Sequence, residues 1–304
     1  MSTARIKLQP SSSAVESLRI LLSDAIDYAG LFPPASLEMP AAAKNFARYL
    51  NGEFHWMLGR FVVPAERLGE LEKLLKPNRA RGWRITALFG HAFKEDLKSI
   101  VQFHLKAGER AHVDAVEFKI ATKDVINPIL ELLPHGTDAY AEVALRDDLA
   151  EQIETIQMAR LRAKIRTGGV KPGAFPRLQQ VARFIALCSS AGVPFKATAG
   201  LHHPLRGVYP MTEAPRGPHA PMHGFLNLLL AAAAAKAGAM ELQLPEVLAL
   251  RDPQALTFHN KGLMLRNIKL NNQQLREARE QLAIAFGSCS FEDPLRDLAA
   301  LKLL

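Results

Sequence analysis

Cysteine is nearly absent from the chain. Its 304 residues include two, Cys188 and Cys289. That excludes a disulfide framework and a Cys-rich zinc centre. The opening MSTARIKLQPSSS lacks the apolar core of a signal peptide, so a cytoplasmic location is expected. No apolar run is long enough to cross a bilayer, which takes about 20 residues as a helix. The longest, Phe225 to Ala235, is interrupted by Asn227. Acidic residues are in deficit, 30 against 38 Lys and Arg, giving a net charge of +8. The basic residues form no dense run, as a nucleic-acid footprint would require. Neither nucleic acid nor membrane is therefore expected as a partner. A small-molecule substrate is, and the positive charge suits an anionic one. A homo-oligomer is compatible with this composition.

What the chain has in quantity is short apolar segments alternating with helical stretches. Strands are expected near Ala25–Leu31, Arg60–Val63, Trp83–Phe89, Ala115–Ile120, Ala139–Ala144, Ala163–Arg166, Pro194–Thr198 and Ala283–Gly287. Leucines from Leu68 to Leu75 and apolar residues from Leu178 to Leu187 recur at helical spacing. Strand starts fall about 20 to 35 residues apart, the length of one β/α unit. Eight such units predict an α/β fold, a single (β/α)₈ TIM barrel spanning residues 1–304. A long insertion, about residues 201–270, separates strands 7 and 8. It is expected to hold a loop from His202 to His223, a helix ending near Gly238 and a hairpin within Leu256–Leu270. A helix should follow from Asn272 to about Leu282, and Ser11 to Ser13 should cap the first helix. A long loop after strand 7 belongs at the catalytic mouth of a barrel, where it would act as a lid.

Alternation along the strands separates two faces. Val116, Phe118 and Ile120 oppose Glu117 and Lys119. Ala141 and Val143 oppose Tyr140 and Glu142. Ala163 and Ile165 oppose Lys164 and Arg166, and Phe195 and Ala197 oppose Lys196 and Thr198. The apolar face suits the surrounding helices, so the charged face is expected inside the barrel. Val, Ile and Leu usually fill that space, and burying this many charges is costly. A buried ion-pair network would use the same residues for structure alone. The functional alternative starts from the spacing of adjacent strands, about 4.8 Å. That would bring Lys164 and Lys196 together, and a neighbouring cation favours a neutral, nucleophilic lysine. Such a lysine attacks a carbonyl to form a Schiff base, with Glu117 or Glu142 relaying protons. His202, His203, His219 and His223 offer a rival metal-dependent chemistry with Glu142. A non-catalytic ligand-binding barrel is a third reading.

Four segments, in order, resemble the deoxyribose-phosphate aldolase family of class I aldolases. Ile26-Asp27-Tyr28-Ala-Gly-Leu31-Phe-Pro33-Pro-Ala35-Ser36 is similar to that family's first strand. Lys164-Ile-Arg-Thr167-Gly168 resembles its K-x-x-T-G. Phe195-Lys196-Ala-Thr-Ala-Gly200 resembles its F-K-x-A-G-G, and Phe286-Gly287-Ser288-Cys-Ser290 its phosphate-holding F-G-A-S-S turn. The resemblance implies that Lys164 forms the Schiff base and Lys196 tunes it. By motif it places the strand-4 acid at Asp114, whereas alternation favours Glu117. The sequence departs from the family at Arg166, at the T-A-G after strand 7 with its His202-His203 doublet, and in the long insertion. The expected activity is a Schiff-base lyase acting on a small, anionic carbonyl compound, with no cofactor and no metal. Lys164, Lys196, Glu117 and Asp114 form the catalytic set. Asp27, Lys119, Glu142, Arg166, Thr167, Thr198, Gly200, His202, His203, Gly287 and Ser288 form the substrate-binding set.

Overall fold

A computed structural model of the chain describes residues 14–75, 82–90, 92–119, 126, 131–134, 136–211 and 217–304. Eight parallel strands close into a barrel. They are β1 (Ile26–Tyr28), β2 (Leu58–Pro64), β3 (Trp83–Leu88), β4 (Ala111–Lys119), β5 (Asp138–Glu142), β6 (Arg162–Arg166), β7 (Phe195–Thr198) and β8 (Ala283–Ser288). Each pairs with its neighbours in sequence order, and β8 closes the ring onto β1 through Ile26–Phe286, Asp27–Gly287 and Tyr28–Ser288. With helices between the strands, this is the TIM-barrel fold expected from the alternation. Ile120, Ser11, Ser12 and Ser13 lie outside the described residues.

The outer layer contains α1 (Glu16–Leu22), α2 (Met39–Leu50), α3 (Leu68–Glu72), α4 (Phe93–Ala107), α5 (Leu149–Met158) and α6 (Leu178–Ala191). Gly192 ends α6 in the left-handed conformation, its N–H returning to Cys188 and Ser189. The outward face of the first three strands buries Tyr28, Phe61 and Trp83 against Phe46 of α2, with ring centroids 4.9–6.4 Å apart. That stack fixes the parity of β1 and β2. With Tyr28 and Phe61 turned outward, Asp27 and the Arg60 side chain must face the interior.

Among the described residues, the insertion after β7 holds several elements. Residues Gly207–Pro210 and His219–Met222 form an antiparallel hairpin. Next come α7 (Phe225–Lys236), α8 (Leu244–Leu248) and α9 (Asn272–Gln281), and the chain's last described helix is α10 (Glu292–Ala300). The long apolar run is α7, buried on all sides from Phe225 to Ala234 and packed against α6, α8 and α9. A helix apolar all round belongs inside a protein or a membrane, and here the protein supplies the cover. Among the described residues no helix is long and apolar enough to cross a membrane. The segment expected as one hairpin is a three-stranded antiparallel sheet, Leu256–His259, Gly262–Leu265 and Ile268–Asn271. The second reversal was missed because it has no Gly or Pro signal; Arg266 takes the positive φ instead.

Candidate active site

Five charged side chains meet inside the barrel. Lys164 Nζ lies 2.6 Å from Glu117 and 2.9 Å from Glu142. Lys196 Nζ lies 2.5 Å from the other Glu117 oxygen and also contacts Asp27. Glu117 therefore bridges both lysines, which are register partners on β6 and β7. The side chains of Asp27, Glu117, Lys164 and Lys196 are at most 4% exposed, whereas Glu142, nearer the C-terminal mouth, is 14% exposed. If all five are ionised, three carboxylates face two ammoniums.

Burial alone would raise the Glu117 carboxyl. The Lys196 and Lys164 ammoniums outweigh it and hold Glu117 well below the usual carboxylate range. Burial would also discharge Lys196, but Asp27 and Glu117 keep its ammonium above the ordinary lysine range. Lys196 is thus a fixed cation. Its ammonium lies 5.3 Å from the centre of the Tyr140 ring, which also carries the Arg162 guanidinium at 5.6 Å. Direct repulsion between the two lysines, expected from strand spacing, is screened because Glu117 stands between them.

The Asp27 carboxylate is locked by main chain. The Arg60 N–H donates to Oδ1 at 2.8 Å while Oδ2 holds Lys196. Residue 59 must be glycine for this approach, since a Cβ there would fall 2.4 Å from Asp27 Oδ1. Gly59→Ala is therefore expected to destabilise the fold by about 1–3 kcal/mol, as overpacking does. Urea unfolding should show a lower midpoint with an unchanged slope, and an unchanged midpoint would contradict this account.

The other expected site residues lie around this network in different ways. Lys119 and Arg166 are exposed at the C-terminal ends of their strands and, among the described residues, do not join the ion pairs. Thr198 and Gly287 are close neighbours at the same end, where a Cβ at 287 would fall 2.8 Å from the Thr198 hydroxyl oxygen. The buried Thr167 hydroxyl donates to Ala199 O at 2.8 Å, tying the turn after β7. Ala199 and Gly200 both take positive φ there. The Ser288 hydroxyl donates to Ser290 O at 2.7 Å and sits 3.3 Å from His202 Nδ1. It closes its own turn and does not point at the lysines.

Asp114 lies apart from the lysines. It accepts hydrogen bonds from Arg60 at 2.7 Å and Arg84 at 2.9 Å, in a second ionic layer towards the N-terminal end of the barrel. Asp138 completes that layer with Arg60 and Arg162. Alternation and motif disagreed over Asp114 and Glu117 because β4 carries a bulge. Ile85 pairs with Val113 but Thr86 with Ala115, leaving Asp114 as the extra residue. Both acids can then face inward although three positions apart. Arg60, Arg84, Asp138 and Arg162 were missed, yet the same two-residue alternation, continued towards the strand starts, contains them.

No family model and no curated protein matches the chain. The histidines do not form one ligand set. His203 pairs with Asp297 at 2.6 Å and stacks on Tyr209. His202 lies against Ser288 and Cys289, His219 against Gly217 O, and the buried His223 against Pro176 O. Among the described residues no three His, Cys, Asp or Glu side chains are grouped to hold a metal ion. His202 and His203 pack beside β8 and α10 at the C-terminal end, and in this structure neither touches the charged network. Burial pushes the His202 imidazole below its ordinary value.

Proposed function

We propose that the chain is a class I, Schiff-base-forming carbon–carbon lyase for a small carbonyl compound, a remote relative of deoxyribose-phosphate aldolases, with Lys164 as nucleophile. The observation that carries this reading is a buried lysine flanked by two carboxylates, one of them, Glu142, on the mouth side. TIM-barrel chemistry occurs at that C-terminal face.

The roles follow from the contacts. Entering substrate displaces Glu142, the more exposed carboxylate, from Lys164, and the departing carboxylate takes the ammonium proton. The free amine attacks the carbonyl carbon, and the resulting carbinolamine loses its hydroxyl as water when a carboxylic acid returns the proton. Lys196 stays charged throughout. It pins Glu117 and sets the local potential as a positioning residue. The net positive charge of the chain favours an anionic substrate.

The deciding experiment is borohydride trapping with a panel of small aldehydes and ketones, read by peptide mass spectrometry. A reduced adduct on the Lys164 peptide is expected. A second reading, a non-catalytic ligand-binding barrel, is favoured by the complete ion pairing of both lysines. It expects tight ligand binding with no trapped adduct.

Within the lyase reading, Lys196→Met separates a tuning role of Lys196 from a purely structural one. Without Lys196, Lys164 alone balances Asp27, Glu117 and Glu142, so its ammonium gives up a proton less readily. Turnover should slow by about tenfold or more at neutral pH and recover in alkaline buffer. A purely structural role predicts lower thermal stability with no shift of the pH–rate profile.

A further inference from the structure

A cavity of about 480 Å³ opens at the N-terminal end of the barrel, away from the lysines. Its size falls within the range of small-molecule pockets. Five arginines line it, namely Arg60, Arg84, Arg162, Arg276 and Arg279. Three are neutralised locally. Arg60 pairs with Asp114 and Asp138, Arg84 with Asp114 and, at 4.0 Å, Asp24, and Arg162 with Asp138. Arg276 pairs with Glu16 at the exposed rim.

Arg279 is different. It is 8% exposed, and its guanidinium donates only to the main-chain carbonyls of Ser23, Ala283 and Ile284. Its buried Nε–H has no partner. Among the described residues no carboxylate forms an ion pair with it; Glu280, which also lines the cavity, is exposed. A buried guanidinium without an ion-pair partner is unfavourable, and an unpaired buried donor adds to the cost. Burial pushes this group down to about 10, against the attraction of the Asp24 charge, which forms no ion pair with it.

We propose that this cavity binds a small molecule through an oxyanion, phosphate or carboxylate, with Arg279 as the buried counter-ion and Arg276 at the entrance. Asp24, Asp114 and Asp138 balance Arg60, Arg84 and Arg162, and Glu16 balances Arg276. Among the described residues the exposed Glu280 forms no ion pair with Arg279, so Arg279 is the buried cation that a ligand oxyanion would meet. The site is separate from the lysine network and does not depend on the lyase reading.

The test is calorimetric titration of the full chain with inorganic phosphate and, separately, succinate, at ionic strength fixed with chloride. Saturable one-to-one binding of at least one anion is expected, and which one binds identifies the group recognised. Arg279→Met and Arg276→Glu should each weaken it by about tenfold or more, while Lys164→Met should leave it intact. Arg276 is exposed, so its variant decides the matter if Arg279→Met does not fold. Three results would overturn the proposal: no saturable binding of either anion, binding indifferent to Arg276→Glu or to a folded Arg279→Met, or binding lost in Lys164→Met.

Discussion

Lys164→Met is expected to abolish both borohydride trapping and turnover while the barrel stays folded. Methionine nearly keeps the length and the apolar stem of lysine but has no amine, so no covalent adduct can form. Loss of a covalent nucleophile leaves only the background from binding, and kcat should fall by at least about 10⁴-fold. The fold should tolerate the change for reasons visible in the ion pairs. Glu117 retains Lys196 at 2.5 Å, and Glu142 is the most exposed member of the network. Neither carboxylate is left both buried and unpaired. Far-ultraviolet circular dichroism and a thermal melt would establish folding beside the kinetic assay. A folded variant with full activity would end the aldolase reading. A variant that loses activity only in proportion to lost fold would support a structural role for the lysine.

Much of this arrangement was legible in the sequence because it rests on local alternation. Lys164 and Lys196 are each flanked by apolar residues that pack outward, Ala163 and Ile165 on β6 and Phe195 and Ala197 on β7. That pattern alone turns both lysines inward. Glu117 between Val116 and Phe118 is the same case. Less legible was which charges would pair, because pairing depends on register between strands distant in sequence. Glu117 meets Lys196 across the barrel interior, and the motif-derived Asp27 joins them only because β8 closes onto β1. The bulge at Asp114 left no mark that alternation could detect. Lys119 and Arg166 share the inward parity yet are exposed, because they stand at the ends of their strands. Parity sets direction, and depth along the strand decides burial.

The two ionic layers occupy interior space that branched aliphatic side chains usually fill. Arg60 faces Asp114 and Asp138 towards one end, Lys164 and Lys196 face three carboxylates nearer the other, and the buried Tyr140 touches a cation from each layer. Such networks are weak evidence for stability, because desolvation offsets much of their attraction. Removing one partner is another matter, and Glu117 is the partner with most to lose.

Glu117→Gln is expected to destabilise the protein by about 3–5 kcal/mol at pH 7, the usual cost of breaking a buried ion pair from one side. Glutamine keeps the volume but offers one acceptor and one donor group, whereas both neighbours, Lys164 and Lys196, are donors. One ammonium would then face an N–H₂. The pH dependence gives an independent check. The Glu117 carboxyl is held down from 4.5 to about 2 in the folded chain. A depressed carboxyl contributes stability that is fully present above the unfolded value and lost as pH falls through the folded one. At 1.36 kcal/mol per unit this contribution is about 3 kcal/mol, of the same order as the mutational cost. The stability gap between the wild type and Glu117→Gln should therefore be constant above about pH 5 and shrink steadily towards pH 2. Other acid-sensitive groups titrate in both proteins, so the gap isolates Glu117. Urea titrations across that range would measure it. A gap that stayed constant down to pH 2 would mean that Glu117 does not owe its ionisation to the two lysines.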